Sequence, residues 1–231
     1  MGEFLLFVHI FKAAGTTVQA QIRDALGEEA FPTINWSGDI EVRIARSIAD
    51  GAQGIVGHAS FDVFDRSLRK AGIADPAWIT LVREPLARAV SAYNYFRGTP
   101  TEPMSTAANE MAPDAFFRHW DAVDPRALRA HQCRKLSARG TKSATDALQN
   151  LRERFSFAGT TGDVAALRDV LLRGWGVPID ADRVENRSRK VLRLADLEAD
   201  TRRLLLDLAG EDVDLFATIE CDGPIVQPTG R

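Results

Sequence analysis

The sequence predicts an α/β chain built on a parallel sheet, and two observations carry this. Apolar runs without polar alternation recur along it, at residues 4–10, 55–57 and 78–82. Such runs suit strands covered on both faces. Between them lie segments of helical periodicity. Alternating strands and helices imply parallel strands joined by crossover helices.

Each element follows from its own residues. FLLFVHIF ends in a small-residue turn, as a central strand does. The next segment, TTVQAQIRDALG, places Val18, Ile22, Ala25 and Leu26 on one helical face, and Gly27 ends it. After the strand at 78–82, Pro85 opens a helix, where its missing N–H is tolerated. Leu86, Ala89, Val90 and Tyr93 form its buried stripe, with Arg88 and Ser91 off that face. Residues 97–113 hold three prolines and read as a loop or lid. From there to Leu151 the chain is helical and rich in arginine. RFSFAGTT reads as a further strand, with Asp163 capping the helix behind it. Two helices close the chain, with Leu197, Leu204, Leu205 and Leu208 on a shared face.

A length of 231 residues points to one domain over 1–231. A net charge of −3 excludes a global basic field, so no nucleic-acid partner is expected and any anion site must be built locally. The two cysteines, Cys133 and Cys221, form no CxxC pair. That pattern argues against a zinc site or a disulfide framework. FLLFVHIF is too short to span a bilayer and lacks the flanks of a signal peptide, so a cytoplasmic location is expected.

The turn FKAAGTT lies at a strand's carboxyl end, where α/β sheets bind ligands. Small side chains there let backbone N–H groups approach an anion. The helix start favours negative charge, Lys12 adds a full cation, and Thr16 and Thr17 add hydroxyls. The parts are those of a phosphate cradle, although a plain strand–helix turn with a solvated lysine also fits. The nucleoside-triphosphatase pattern GxxxxGK[ST] is absent, because Lys12 precedes the single glycine. A second cluster, VREPLARAVS, puts Arg83 just past another strand and Ser91 on the helix that follows. Together they suit a second phosphate.

With both signatures in hand, the chain resembles the superfamily of sulfotransferases that use 3′-phosphoadenosine 5′-phosphosulfate (PAPS). FKAAGTT corresponds to a loop of the PKTGGTS kind, and VREPLARAVS to a strand, R-[DN]-P and a serine eight residues after the arginine. GHASF, between them, is similar to a segment of the heparan-sulfate 2-O-sulfotransferase branch and its bacterial relatives. RFSFAGTTGDVAALRDVL also looks like a late unit of that branch. The resemblance implies a P-loop-like three-layer α/β/α domain with a helical C-terminal half. It implies that Lys12, Ala13, Ala14, Gly15, Thr16 and Thr17 hold the 5′-phosphosulfate. Arg83 and Ser91, with Arg189 from a late loop, would hold the 3′-phosphate. His58 would be the catalytic base and Lys12 would stabilise the leaving group. No metal is expected.

The acceptor implied is a hydroxyl compound, a carbohydrate or other small molecule, with residues 97–151 on the acceptor side. The pattern departs from the family at Phe11, Ala13, Ala14 and Glu84. A methyl at Ala14 disfavours positive φ. His9 reads as structural, and His119 and His131 as surface residues. Arg83 pairing with Glu84 or Asp75 is the plain alternative to a phosphate role. The tryptophans are packing residues, with Trp36 and Trp120 also candidates for an acceptor's face. The arginine-rich stretch around Arg126, Arg129 and Arg134 reads as a solvated helix face or as a site for an acidic acceptor. A nucleotide kinase of similar architecture, weakened by the missing GKS/T, and a non-catalytic nucleotide-binding protein are the competing readings.

Overall fold

The structure, a computed structural model, describes residues 3–34, 39–183 and 192–227. Six strands form one sheet: β1 (Leu5–Val8), β2 (Thr33–Ile34), β3 (Gly54–Gly57), β4 (Ala77–Val82), β5 (Phe155–Thr160) and β6 (Ile225–Val226), in the spatial order β2-β3-β1-β4-β5-β6. β1 lies centrally, with Leu5 opposite Gly54 on one side and Ala77 on the other. The first five strands run parallel. β6 is antiparallel to β5, which departs from the all-parallel expectation. Gly223, at φ 84°, ends the last helix and turns the chain back along this edge.

The helices are α1 (Gly15–Leu26), α2 (Ile40–Ala49), α3 (Phe61–Lys70), α4 (Pro85–Gly98), α5 (Ser105–Glu110), α6 (Pro113–Val123), α7 (Pro125–Leu128), α8 (His131–Leu136), α9 (Ala144–Arg154), α10 (Val164–Trp175), α11 (Ala199–Ala209) and α12 (Asp212–Asp222). Alternate residues of β1 serve opposite faces of the sheet. Leu6 and Val8 pack with Ile44 of α2, Phe64 of α3, Leu151 of α9 and Leu215 of α12. Leu5 and Phe7 pack with Val18 and Ile22 of α1 and Leu167 and Leu171 of α10. The chain is therefore a three-layer α/β/α arrangement. A third core, formed by α4, α5, α6 and α11, stands beside the sheet without strands. Among the described residues, no helix is long and apolar enough to cross a membrane.

Several local expectations need correction. Ala25 is exposed, and Gln21 takes the inward position on α1, exchanging hydrogen bonds with the backbone of Asp180. Residues 97–113 do not form an open lid. α4 continues to Gly98, α5 follows, and Met104, Ala107 and Ala108 are buried. Arg97 ties the segment down through the Tyr93 hydroxyl and the Ala108 carbonyl. Asp163 stands at the start of α10 but does not cap it. Its carboxylate turns back to the N–H and hydroxyl of Thr160. Arg88 is fully buried, because α4 is packed by α5, α11 and α12 and keeps no free face for it. His131 and Trp120 are also buried, the latter among Phe96 and Phe116, which removes Trp120 from any acceptor surface. Trp36 lies outside the described residues.

Candidate anion and base site at the strand exits

The turn after β1 is tight and strained. Lys12 and Ala14 both take left-handed backbone angles, φ 66° and φ 60°. For a residue with a Cβ this costs on the order of 1 kcal/mol or more. The consequence is the open start of α1. Ala14 stands at its N-cap with no side chain to offer, and no capping hydrogen bond forms. The leading N–H groups of a helix have no carbonyl one turn back to receive them. The first turn of α1 thus begins at the exit of β1 without a capping side chain, beside exposed Thr16 and half-buried Thr17.

Gly15 is set by a second demand. A Cβ there would overlap the imidazole of His9. That ring is buried between Phe7 and His58, with centroids 5.6 and 4.3 Å away. Burial first, then the charges of His58 and Lys12, push the His9 pKa from 6.5 down to about 3. His9 is thus a neutral packing ring, as the sequence suggested.

His58 follows β3 and is half-buried. Its Nδ1 lies 2.7 Å from the His9 carbonyl oxygen. A carbonyl only accepts, so the proton resides on Nδ1 and Nε2 keeps its lone pair. Burial lowers the His58 pKa, the bond to His9 opposes this, and the Lys135 ammonium lowers it further. That ammonium donates to the carbonyl of His58 itself. Beside the ring stands an aromatic wall: Phe11 meets His58 edge-on at 6.5 Å and Tyr95 at 5.5 Å.

Lys12 Nζ rests over the Tyr95 ring, 4.3 Å from its centroid. Burial and the nearby Arg83 charge lower its pKa from 10.5 to about 8. Arg83 extends from the end of β4 and donates from Nη1 to the Lys12 carbonyl at 3.1 Å. Among the described residues no ion pair joins it to Asp75 or Glu84, although the nearby Glu84 charge raises its pKa against the larger lowering by burial. The Glu84 carboxylate is committed to the N–H groups of Leu86 and Ala87, where it caps α4. Glu84 therefore has a structural explanation that the sequence did not supply.

The structure thus brings Lys12, Ala13, Ala14, Gly15, Thr16, Thr17, His58 and Arg83 to neighbouring strand exits. Ser91 is half-buried on α4, about two turns beyond Arg83, and its hydroxyl makes no hydrogen bond to Arg83 among the described residues. Arg189 lies outside the described residues.

Sequence inspection missed the support from α8. Gln132 and Lys135 fall in the stretch read as a solvated face, where Arg126, Arg129 and Arg139 are indeed exposed. Their i, i+3 spacing put them on one face, but nothing marked that face as buried. Arg129 pairs with Asp121 at 2.6 Å, so its charge is already answered. Compared with known proteins, the chain matches no family model and no curated relative, so the family resemblance rests on its motifs.

Proposed function

We propose that this protein is a sulfotransferase that moves a sulfuryl group from PAPS to the hydroxyl of an acceptor, a carbohydrate or small molecule. One observation carries the proposal: Arg83 and Lys12, on two different strand exits, are linked through the Lys12 carbonyl, within one structure that also holds a neutral imidazole. The donor set suits a nucleotide with phosphates at both ends. The open start of α1 and Lys12 suit the 5′ end, Arg83 suits the 3′ end, and the adjacent Glu84 carboxylate is occupied as a helix cap. When bound, that nucleotide supplies the sulfuryl group and a bisphosphate that carries the charge of departure.

The protein's own groups then have separable tasks. Lys12, its ammonium seated over the Tyr95 ring, and the backbone at the start of α1 hold negative charge at the place where it develops. His58 Nε2 accepts the proton of the acceptor hydroxyl as its oxygen bonds to sulfur and the bridging sulfur–oxygen bond breaks. The His9 carbonyl fixes the His58 tautomer that leaves Nε2 basic. General-base assistance of this kind contributes about 10² to 10⁴ in rate. Phe11 and Tyr95, packed edge to face, form an apolar wall beside the base against which an acceptor would lie.

Thermal-shift titration tests the reading. Adenosine 3′,5′-bisphosphate without added metal is expected to raise the melting temperature, and ATP with magnesium is not. The reverse pattern would move the protein to the kinase reading. Transfer of labelled sulfate from PAPS to a panel of glycans and phenols then separates an enzyme from a binding protein.

A further inference from the structure

We propose that Gln132 is a positioning residue that fixes the Arg83 peptide so that its guanidinium meets the 3′-phosphate; this rests on the function proposed above. Arg83 sits where β4 has ended and α4 has not begun, so its backbone has neither ladder nor helix to satisfy it. Gln132 supplies both partners. Its Oε1 accepts from the Arg83 N–H at 2.9 Å, and its Nε2 donates to the Arg83 carbonyl at 2.8 Å. The two residues are 49 apart in sequence, and Gln132 is fully buried.

The clip is itself anchored. Ala130, at φ 45°, starts α8 with no side-chain cap. Asp212, from the start of α12, fills that role: its two carboxylate oxygens accept from the N–H groups of Gln132 and Cys133 at 2.9 and 2.8 Å. Asp212 is fully buried, and the buried Arg88 is its nearby countercharge. Gln132 therefore holds its place without help from Arg83. It resists rotation of a peptide whose side chain lies one bond from the backbone being held. An apolar residue of equal size would leave two backbone groups unsatisfied and the guanidinium held only by its bond to the Lys12 carbonyl. That arrangement orients a cation before the ligand arrives, the condition under which binding is strong.

The test is calorimetric titration of the full chain with adenosine 3′,5′-bisphosphate and, separately, with AMP, which lacks the 3′-phosphate. Gln132→Met removes both hydrogen bonds at similar volume. Gln132→Glu removes only the donor and serves if the first variant does not fold. The wild type is expected to prefer the bisphosphate. Each variant is expected to lose roughly tenfold or more of its bisphosphate affinity, about 1.4 kcal/mol, while AMP affinity stays within about twofold. If the preference survives in the variants, or both ligands weaken in parallel, the role of Gln132 is overturned while the proposed function stands. A wild type that shows no preference overturns both.

Discussion

The guanidinium of Arg83 donates to the backbone carbonyl of Lys12 across 3.1 Å. Two turns 71 residues apart in sequence are thereby held as one cationic surface. Their mutual repulsion is visible in Lys12, whose ammonium titrates near pH 8 rather than 10.5, with burial the larger cause and Arg83 the second.

A pH dependence follows for nucleotide binding. A bound phosphate favours the charged lysine, so affinity should be level below pH 8 and fall above it, by up to about tenfold per pH unit for one proton. Titrations with adenosine 3′,5′-bisphosphate from pH 7 to 9.5 measure this. Lys12→Ala should weaken binding by about 10- to 100-fold and flatten the profile. A flat wild-type profile would remove Lys12 from the phosphate.

His58 should govern rate and not nucleotide affinity. Its pKa lies below 6.5, mainly through burial, so the base form persists into mild acid and the acid limb of kcat/KM for PAPS should have its midpoint below pH 6.5. His58→Ala should lower transfer by about 10² or more with unchanged bisphosphate binding. A variant that turns over at the wild-type rate would exclude the assignment.

Ala14 carries left-handed backbone at φ 60°, so Ala14→Gly should stabilise the fold. The relief, less the added entropy of an unfolded glycine, is about 0.5 to 1 kcal/mol, read as a higher denaturant midpoint. Gly15→Ala should do the opposite, because its methyl collides with His9. A loss of about 1 to 3 kcal/mol is expected, together with displacement of the His9 and His58 rings. Equal stability of the two variants would contradict the described turn.

Acid should destabilise the protein before its carboxylates titrate. His9 is held near pKa 3, and His131 is pushed well below 6.5 by burial and by the Arg88 charge. Unfolding restores each to about 6.5, so the unfolded chain binds more protons once pH falls below that value. This stability is intact above pH 6.5 and is lost progressively below it. His9 alone contributes a loss of about 2 kcal/mol at pH 5. Urea unfolding at pH 7 and pH 5 reads it directly, and His9→Gln should reduce the slope.

Much of the frame was legible because it depends on neighbours in sequence. The apolar runs at 4–10, 55–57 and 78–82 became the adjacent strands β1, β3 and β4 of one sheet, and Pro85 opened its helix as read. Arg88 was misread because α4 lost its free side to packing by helices distant in sequence, α11 and α12 among them. His131 was misplaced for the same reason. Gln132 carried no signal, since a lone glutamine among arginines looks solvated until a backbone without partners is brought to it.

Local chemistry alone dictated the alternation of strand and helix, the small-residue turn with its lysine, and the arginine at a later strand end. These depend on periodicity and backbone preference, which act over a few residues. Only the three-dimensional arrangement decided that Lys12 and Arg83 share a carbonyl, that the His9 carbonyl sets the His58 tautomer, and that Asp212 and Gln132 hold the Arg83 peptide. Those contacts join residues from 49 to 80 positions apart, and only the packing of layers brings such groups within hydrogen-bond distance.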